Sequence, residues 1–230
     1  MAAYFNLQTY LNIAQMYPAI LTGSDVLGSL ITLNPLGLIN LVINLTFGEL
    51  LNRYLKTFSR WLGPKFKLFM RPDPPSTGCG TLPICHMKKE HVLDTVHGWG
   101  MPSGHSQIAT IAAVFWIMYL LDTRSSTLLE GVKGASALRY TSIGVMTIIT
   151  MAVMYSRIFI GCHNGAQIAV GGIIGTILAA GSYYLCKYLF KKIFPDYYNA
   201  TFSDTLTTEE ALFVVGAGIA LSAFFFFVKN

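Results

Sequence analysis

Five stretches of this chain carry no charged side chain: Val26 to Phe47, Ser106 to Leu121, Tyr140 to Ser156, Asn164 to Cys186 and Ala211 to Val228. An apolar helix of about 20 residues crosses the roughly 30 Å hydrocarbon core of a bilayer. An open strand of the same composition would leave its backbone polar groups unpaired in lipid. The predicted class is therefore all-α, a polytopic membrane bundle of five or six transmembrane helices forming a single domain over residues 1–230. Asn34-Pro35 interrupts the first run, where a kink or helix restart is expected. The fourth holds Gly171 and Gly175 at the spacing that lets helices approach closely in lipid.

Residues 1–24 are uncharged but carry Asn6, Gln8, Asn12 and Gln15. They read as an interfacial helix or a sixth span, and they lack the basic start of a signal peptide.

Composition agrees with the class. Hydrophobic residues make up 53% of the chain and charged residues 12%, about half the roughly 25% of a soluble domain; mean hydropathy is +0.52. Disorder and a disulfide scaffold are excluded, the latter because only 4 Cys are present. The net charge of +5 arises from 16 Lys and Arg against 11 Asp and Glu, too thin a cationic surface for nucleic acid.

The polar connection from Arg53 to Met101 is long, and long loops are commonly functional. At or beyond its ends stand three segments: Lys65 to Pro72, with Lys67 and Arg71; Gly100-Met-Pro-Ser103-Gly104-His105-Ser-Gln107; and Ser156-Arg157 followed by Cys162-His163 and Gln167. Crossing the membrane from the loop and returning brings Arg157 and His163 to the face that holds Arg71 and His105. Arg forks suit phosphoryl oxygens, Lys adds a point charge, and Ser103-Gly104 at a helix start supplies N–H groups and a dipole. Two histidines can divide the work of nucleophile and general acid. Neither histidine motif supplies the carboxylates a metal site would want, so no metal and no cofactor is expected.

These segments resemble the signature of the type 2 phosphatidic acid phosphatase superfamily, K-x6-R-P, P-S-G-H and S-R-x5-H-x3-D. The resemblance implies His163 as a nucleophile forming a phosphohistidine and His105 as the acid for the leaving group. It implies Lys65, Arg71, Ser103, Gly104 and Arg157 as ligands of the phosphoryl group. Two departures stand out. Lys65 precedes Arg71 by five intervening residues instead of six, so Lys67 or Lys56 could serve. Gln167 replaces the Asp that orients the histidine; its amide oxygen can accept from imidazole but cannot stabilise imidazolium as a carboxylate does. Gly-Met-Pro-Ser-x-His-Ser-Gln with His-x3-Gln resembles the dolichyl-diphosphatase branch, which implies a polyprenyl diphosphate substrate and treats Gln167 as compatible with catalysis.

Other features receive plainer readings. His86, His91 and His97 are loop histidines. Cys79 and Cys85 allow a disulfide or, less well, a zinc site, and Cys162 and Cys186 are packing thiols. Glu49 and Arg53 form a structural pair at i,i+4, and Phe224 to Phe227 face lipid. Cation counts favour a cytosolic site, whereas the resemblance implies a luminal one in the endoplasmic reticulum membrane. The expected partners are a lipid phosphate and membrane lipids, with no nucleic acid and with room for membrane-protein partners. The rival from another class is a silent family member serving as a structural subunit.

Overall fold

The computed structural model describes residues 16–21, 23–25, 27, 35–62, 67–72, 99–122, 134–202 and 206–228. Helix α1 spans Leu36–Ile43 with Pro35 at its N-cap, where a fixed φ suits helix entry. It runs through a π-helical stretch, Asn44–Leu50, into α2, Leu51–Trp61. Arg53 to Trp61, read from sequence as the start of the long loop, is thus helical. Nothing in that stretch breaks a helix before Gly63-Pro64, and its polar residues divide between two faces. Asn52 and Ser59 are buried, while Tyr54, Phe58 and Trp61 are exposed. The Glu49–Arg53 pair is formed at 2.7 Å on the exposed side.

Further along the chain come α3 (Gly104–Asp122), α4 (Ala135–Phe159), α5 (Gly165–Ile193), the short α6 (Pro195–Thr201) and α7 (Thr208–Phe224), and residues 16–21 and 23–25 near the start of the chain are helical as well. Among the described residues, 4 helical segments are long and apolar enough to cross a membrane, corresponding to α3, α4, α5 and α7 with its extension to Phe227. The protein is a multi-pass membrane helical bundle. Most of the first predicted span's N-terminal half, and most of residues 1–24, lie outside the described residues.

Helices α3 and α5 form the central pair, with α4 on α3 and α7 on α5. Glycine makes the close approach of α3 and α5 feasible: a Cβ on Gly171 would lie 2.5 Å from the Ser103 carbonyl oxygen, and one on Gly175 would lie 2.6 Å from that of Gln107. The core between them is built from Ile111, Phe115, Met118 and Tyr183, closed by Tyr198 and Phe202. Phe225 corrects one sequence reading. It is buried against Met154, Ile158, Ile168 and Ala169, while Phe224, Phe226 and Phe227 remain exposed. A 3-10 turn over Phe225–Phe227 rotates one ring of the run inward.

The two ends of the bundle differ. At one end the buried Asp122 carboxylate accepts from the Tyr183 hydroxyl at 2.6 Å and the Leu206 N–H at 3.2 Å, and meets Lys187 Nζ at 2.7 Å. At the other end lie the start of α3, the end of α4 and the start of α5, which carry the second and third sequence segments.

Candidate active site

His163 occupies the short turn between α4 and α5 and is 2% exposed. The turn is fixed by Asn164, whose side chain caps α5 by accepting from the Gln167 N–H at 2.9 Å, while Gln167 Oε1 accepts from the Asn164 N–H at 3.3 Å. This capping box presents Gln167 Oε1 to His163 Nδ1 at 3.1 Å. The same amide donates through Nε2 to the carbonyls of Leu68, at 2.9 Å, and Met70, at 2.6 Å. Two carbonyl acceptors identify the atom between them as nitrogen, so the atom facing His163 is oxygen. His163 therefore carries its proton on Nδ1 and presents the Nε2 lone pair.

Arg71 stands at that lone pair, its Nη1 3.3 Å from His163 Nε2 and donating at 2.9 Å to the Cys162 carbonyl. The backbone leading to Arg71 is clamped from two sides. Gln167 holds it by the carbonyls just named, and a backbone bridge joins Met70 to Trp99, with the Gly100 N–H donating to the Phe69 carbonyl at 2.8 Å. A Cβ on Gly100 would overlap the Gln167 amide and push it from its place.

The second segment reaches the site through α3. Ser103 is fully buried; its hydroxyl oxygen accepts from the Ser106 hydroxyl at 3.0 Å, and its N–H donates to the Gln167 carbonyl at 3.0 Å. The sequence reading offered that N–H to an anion. The close approach of α5 engages it instead. His105, in the first turn of α3, is 7% exposed, and Arg157, in the last turn of α4, is fully buried.

Several of these charged groups act on His163. Burial, followed by Arg71, Lys56, Arg157 and His105, pushes the His163 imidazole well below its ordinary value, so it is neutral at physiological pH. Burial brings the Arg71 guanidinium down to about 10, still charged. Among the described residues no group of three or more His, Cys, Asp or Glu is arranged to hold a metal ion.

The structure thus brings together His163, His105, Gln167, Arg71, Arg157, Ser103 and Gly104. Lys65 lies outside the described residues, as do His86, His91, His97, Cys79 and Cys85; for Lys67 only the backbone, in a 3-10 turn, is described. Cys162, read as a packing thiol, is disulfide-bonded, whereas Cys186 is free. Sequence reasoning missed Asn52 and Ser59 of α2. Asn52 donates to the Pro102 carbonyl at 3.3 Å and to Gln107 Oε1 at 2.8 Å, and Ser59 donates to the Met101 carbonyl at 3.2 Å. The available signal was their placement on one face of an otherwise ordinary amphipathic helix.

The chain is 30% identical over 98 residues to dolichyldiphosphatase 1 of Dictyostelium discoideum and 26% identical over 97 residues to dolichyldiphosphatase 1 of Mus musculus. Each match covers 42% of this chain and 40% of the relative, so the chain spans about two fifths of the length of the curated relatives it matches. No solved structure matches. The family model of the PAP2 superfamily matches residues 37–191 and takes in Arg71, His105, Arg157, His163 and Gln167; the chain belongs to the PAP2 superfamily.

Proposed function

We propose that this protein is a metal-independent lipid phosphatase that hydrolyses a polyprenyl diphosphate of the dolichyl type, or a related lipid phosphate, through a phosphohistidine on His163. The observation that carries the reading is the geometry at His163. Its Nδ1 faces Gln167 and its Nε2 lone pair faces the guanidinium of Arg71 at 3.3 Å. A neutral imidazole in that position can attack a phosphorus atom held by Arg71 and Arg157. The P–O bond to the lipid breaks, and His105 supplies the proton to the departing oxygen, which for a diphosphate is the lipid monophosphate. Water, deprotonated by His105, then attacks the phosphorus; the new O–P bond forms as the N–P bond to His163 breaks, inorganic phosphate leaves, and both histidines return to their starting states.

Fixed cations neutralise the phosphoryl oxygens in this scheme, and a pocket lined by Arg71, Arg157 and Lys56 repels a divalent metal. The relatives' names support the diphosphate substrate, and a phosphate leaving group asks less of an amide-oriented imidazole than an alkoxide does. The endoplasmic reticulum membrane is the location the resemblance favours.

The test is phosphate release by the purified protein in detergent with EDTA, with a polyprenyl diphosphate and phosphatidate offered side by side. Release from the diphosphate that survives chelation and is inhibited by vanadate is the expected result. Loss with EDTA that Mg²⁺ restores overturns the metal-independent scheme. Absence of turnover on every lipid phosphate returns the chain to the structural-subunit reading.

A further inference from the structure

Cys162 stands where the pieces of the site meet. Gly161, left-handed at φ 76°, turns the chain back after α4. The Cys162 and His163 N–H groups then both donate to the Arg157 carbonyl, at 3.0 and 3.2 Å, and the Cys162 carbonyl accepts from Arg71 Nη1 at 2.9 Å. Through its backbone the residue therefore touches Arg71 and Arg157, and it is peptide-bonded to His163. Its side chain is fully buried and disulfide-bonded. The chain has 4 Cys and Cys186 is free, so the partner of Cys162 is Cys79 or Cys85, both of which lie outside the described residues. The bridge between Cys79 and Cys85 that the sequence allowed is thereby excluded.

We propose that Cys162 is a positioning residue whose disulfide holds Arg71 against the turn that carries His163, so that the site works fully only while the bond is oxidised. The proposal rests on the phosphatase reading above and adds a regulation of that same site.

The physical reason is chain entropy. Along the backbone Arg71 and Cys162 are 91 residues apart, whereas Cys79 and Cys85 follow Arg71 by only eight and fourteen residues. The chance that two points of a flexible chain meet falls roughly as the −3/2 power of the path between them, so the shorter path through sulfur favours the Arg71–Cys162 contact by at most about 15- to 40-fold. The Gln167 amide also confines the backbone that carries Arg71, which brings the expected effect down to about tenfold. A dithiol reagent removes the constraint. One reagent thiolate attacks a sulfur of the bridge, the S–S bond breaks, and the other cysteine leaves as a thiolate and takes a proton. The second reagent thiol then resolves the mixed disulfide; the protein has gained two electrons and two protons as two thiols, and the reagent has closed to a cyclic disulfide. Arg71 then keeps its grip on the Cys162 carbonyl for less of the time, and the phosphoryl group loses a fixed partner beside His163 Nε2.

Peptide mapping by mass spectrometry without reductant identifies the partner cysteine. Phosphate release from a polyprenyl diphosphate, and calorimetric binding of inorganic phosphate, are then measured below the melting transition of every form. The dithiol-reduced parent should lose about tenfold in kcat/KM and in phosphate affinity, and reoxidation should restore both. Cys162→Ser should match the reduced parent and ignore reductant, while Cys186→Ser should respond to reductant as the parent does. A bond that only stabilises the bundle would lower the melting temperature and leave kcat/KM and phosphate affinity unchanged, which overturns the proposal. So does a free Cys162 thiol in the mapped protein, a bridge that excess dithiol leaves intact in the folded protein, or an oxidised parent that binds no phosphate. The calorimetry needs no turnover, so it judges the disulfide even if no lipid phosphate proves to be a substrate.

Discussion

His163 Nδ1 and Gln167 Oε1 lie 3.1 Å apart, and both hydrogens of the Gln167 amide are committed elsewhere, to the carbonyls of Leu68 and Met70. One side chain thus orients the imidazole and ties the backbone that carries Arg71 to it. A carboxylate at this position could do only the first. Its second oxygen would face two carbonyl oxygens with no proton between them, which gives a physical reason for an amide where the family pattern has an acid.

Gln167→Ala should therefore cost more than a lost hydrogen bond, because Arg71 loosens together with His163. A fall in turnover of roughly 10- to 100-fold is expected, the range seen when the partner that orients a metal-bound imidazole is removed. Gln167→Glu should raise the His163 pKa through its charge while repelling Leu68 and Met70. The parent's imidazole is held below its ordinary value, so His163 stays deprotonated and, on the proposed mechanism, the acid limb of the pH–rate profile lies below the usual imidazole range. In Gln167→Glu that limb should move upward. An unmoved profile, measured between pH 5 and 9, would separate Gln167 from the reacting histidine.

The two histidines should fail differently. His163→Ala should abolish a phosphoenzyme trapped by rapid acid quench, whereas His105→Ala should still form it, more slowly. General acid catalysis is typically worth 10²- to 10⁴-fold, and the deficit of His105→Ala should shrink as the leaving group improves. Equal, mild effects at both positions would argue for a structural subunit.

Gly100→Ala probes the clamp without removing a polar atom. The new methyl would overlap the Gln167 amide, so activity should drop as in Gln167→Ala while the bundle stays assembled. Gly171→Ala should act more broadly. Its methyl would press on the Ser103 carbonyl at 2.5 Å and force α5 away from α3, with a loss of about 1–3 kcal/mol expected for overpacking. Thermal melting in detergent, compared with specific activity, distinguishes the two.

At the opposite end of the bundle, Asp122→Ala would strand Lys187 and the Tyr183 hydroxyl, which meet its carboxylate at 2.7 and 2.6 Å. Removing one partner of a buried ion pair costs about 3–5 kcal/mol. Melting temperature should fall, while the specific activity of the folded fraction stays near that of the parent because the site is at the other end. Removing Lys187 as well, as Lys187→Met, should recover part of the loss.

How much of this was legible beforehand depends on the range of the interaction. Four of the five charge-free runs correspond to α3, α4, α5 and α7 because a helix in lipid satisfies its own backbone and needs only local composition to declare itself. The third motif was equally legible, since Arg157 and His163 flank a single turn whose capping box is written in Asn164 and Gln167. Residues far apart in sequence were not. Nothing local to α2 says that its Asn52 face docks on Met101 and Pro102, so the choice between Lys56, Lys65 and Lys67 stayed open in the sequence. The burial of Phe225, the engagement of the Ser103 N–H and the double duty of Gln167 likewise arise only when α3, α5 and the strap before Arg71 close on one another. That closure is set by backbone approach at Gly171, Gly175 and Gly100, where the absence of a side chain is visible in the sequence but the partner that fills the space is not.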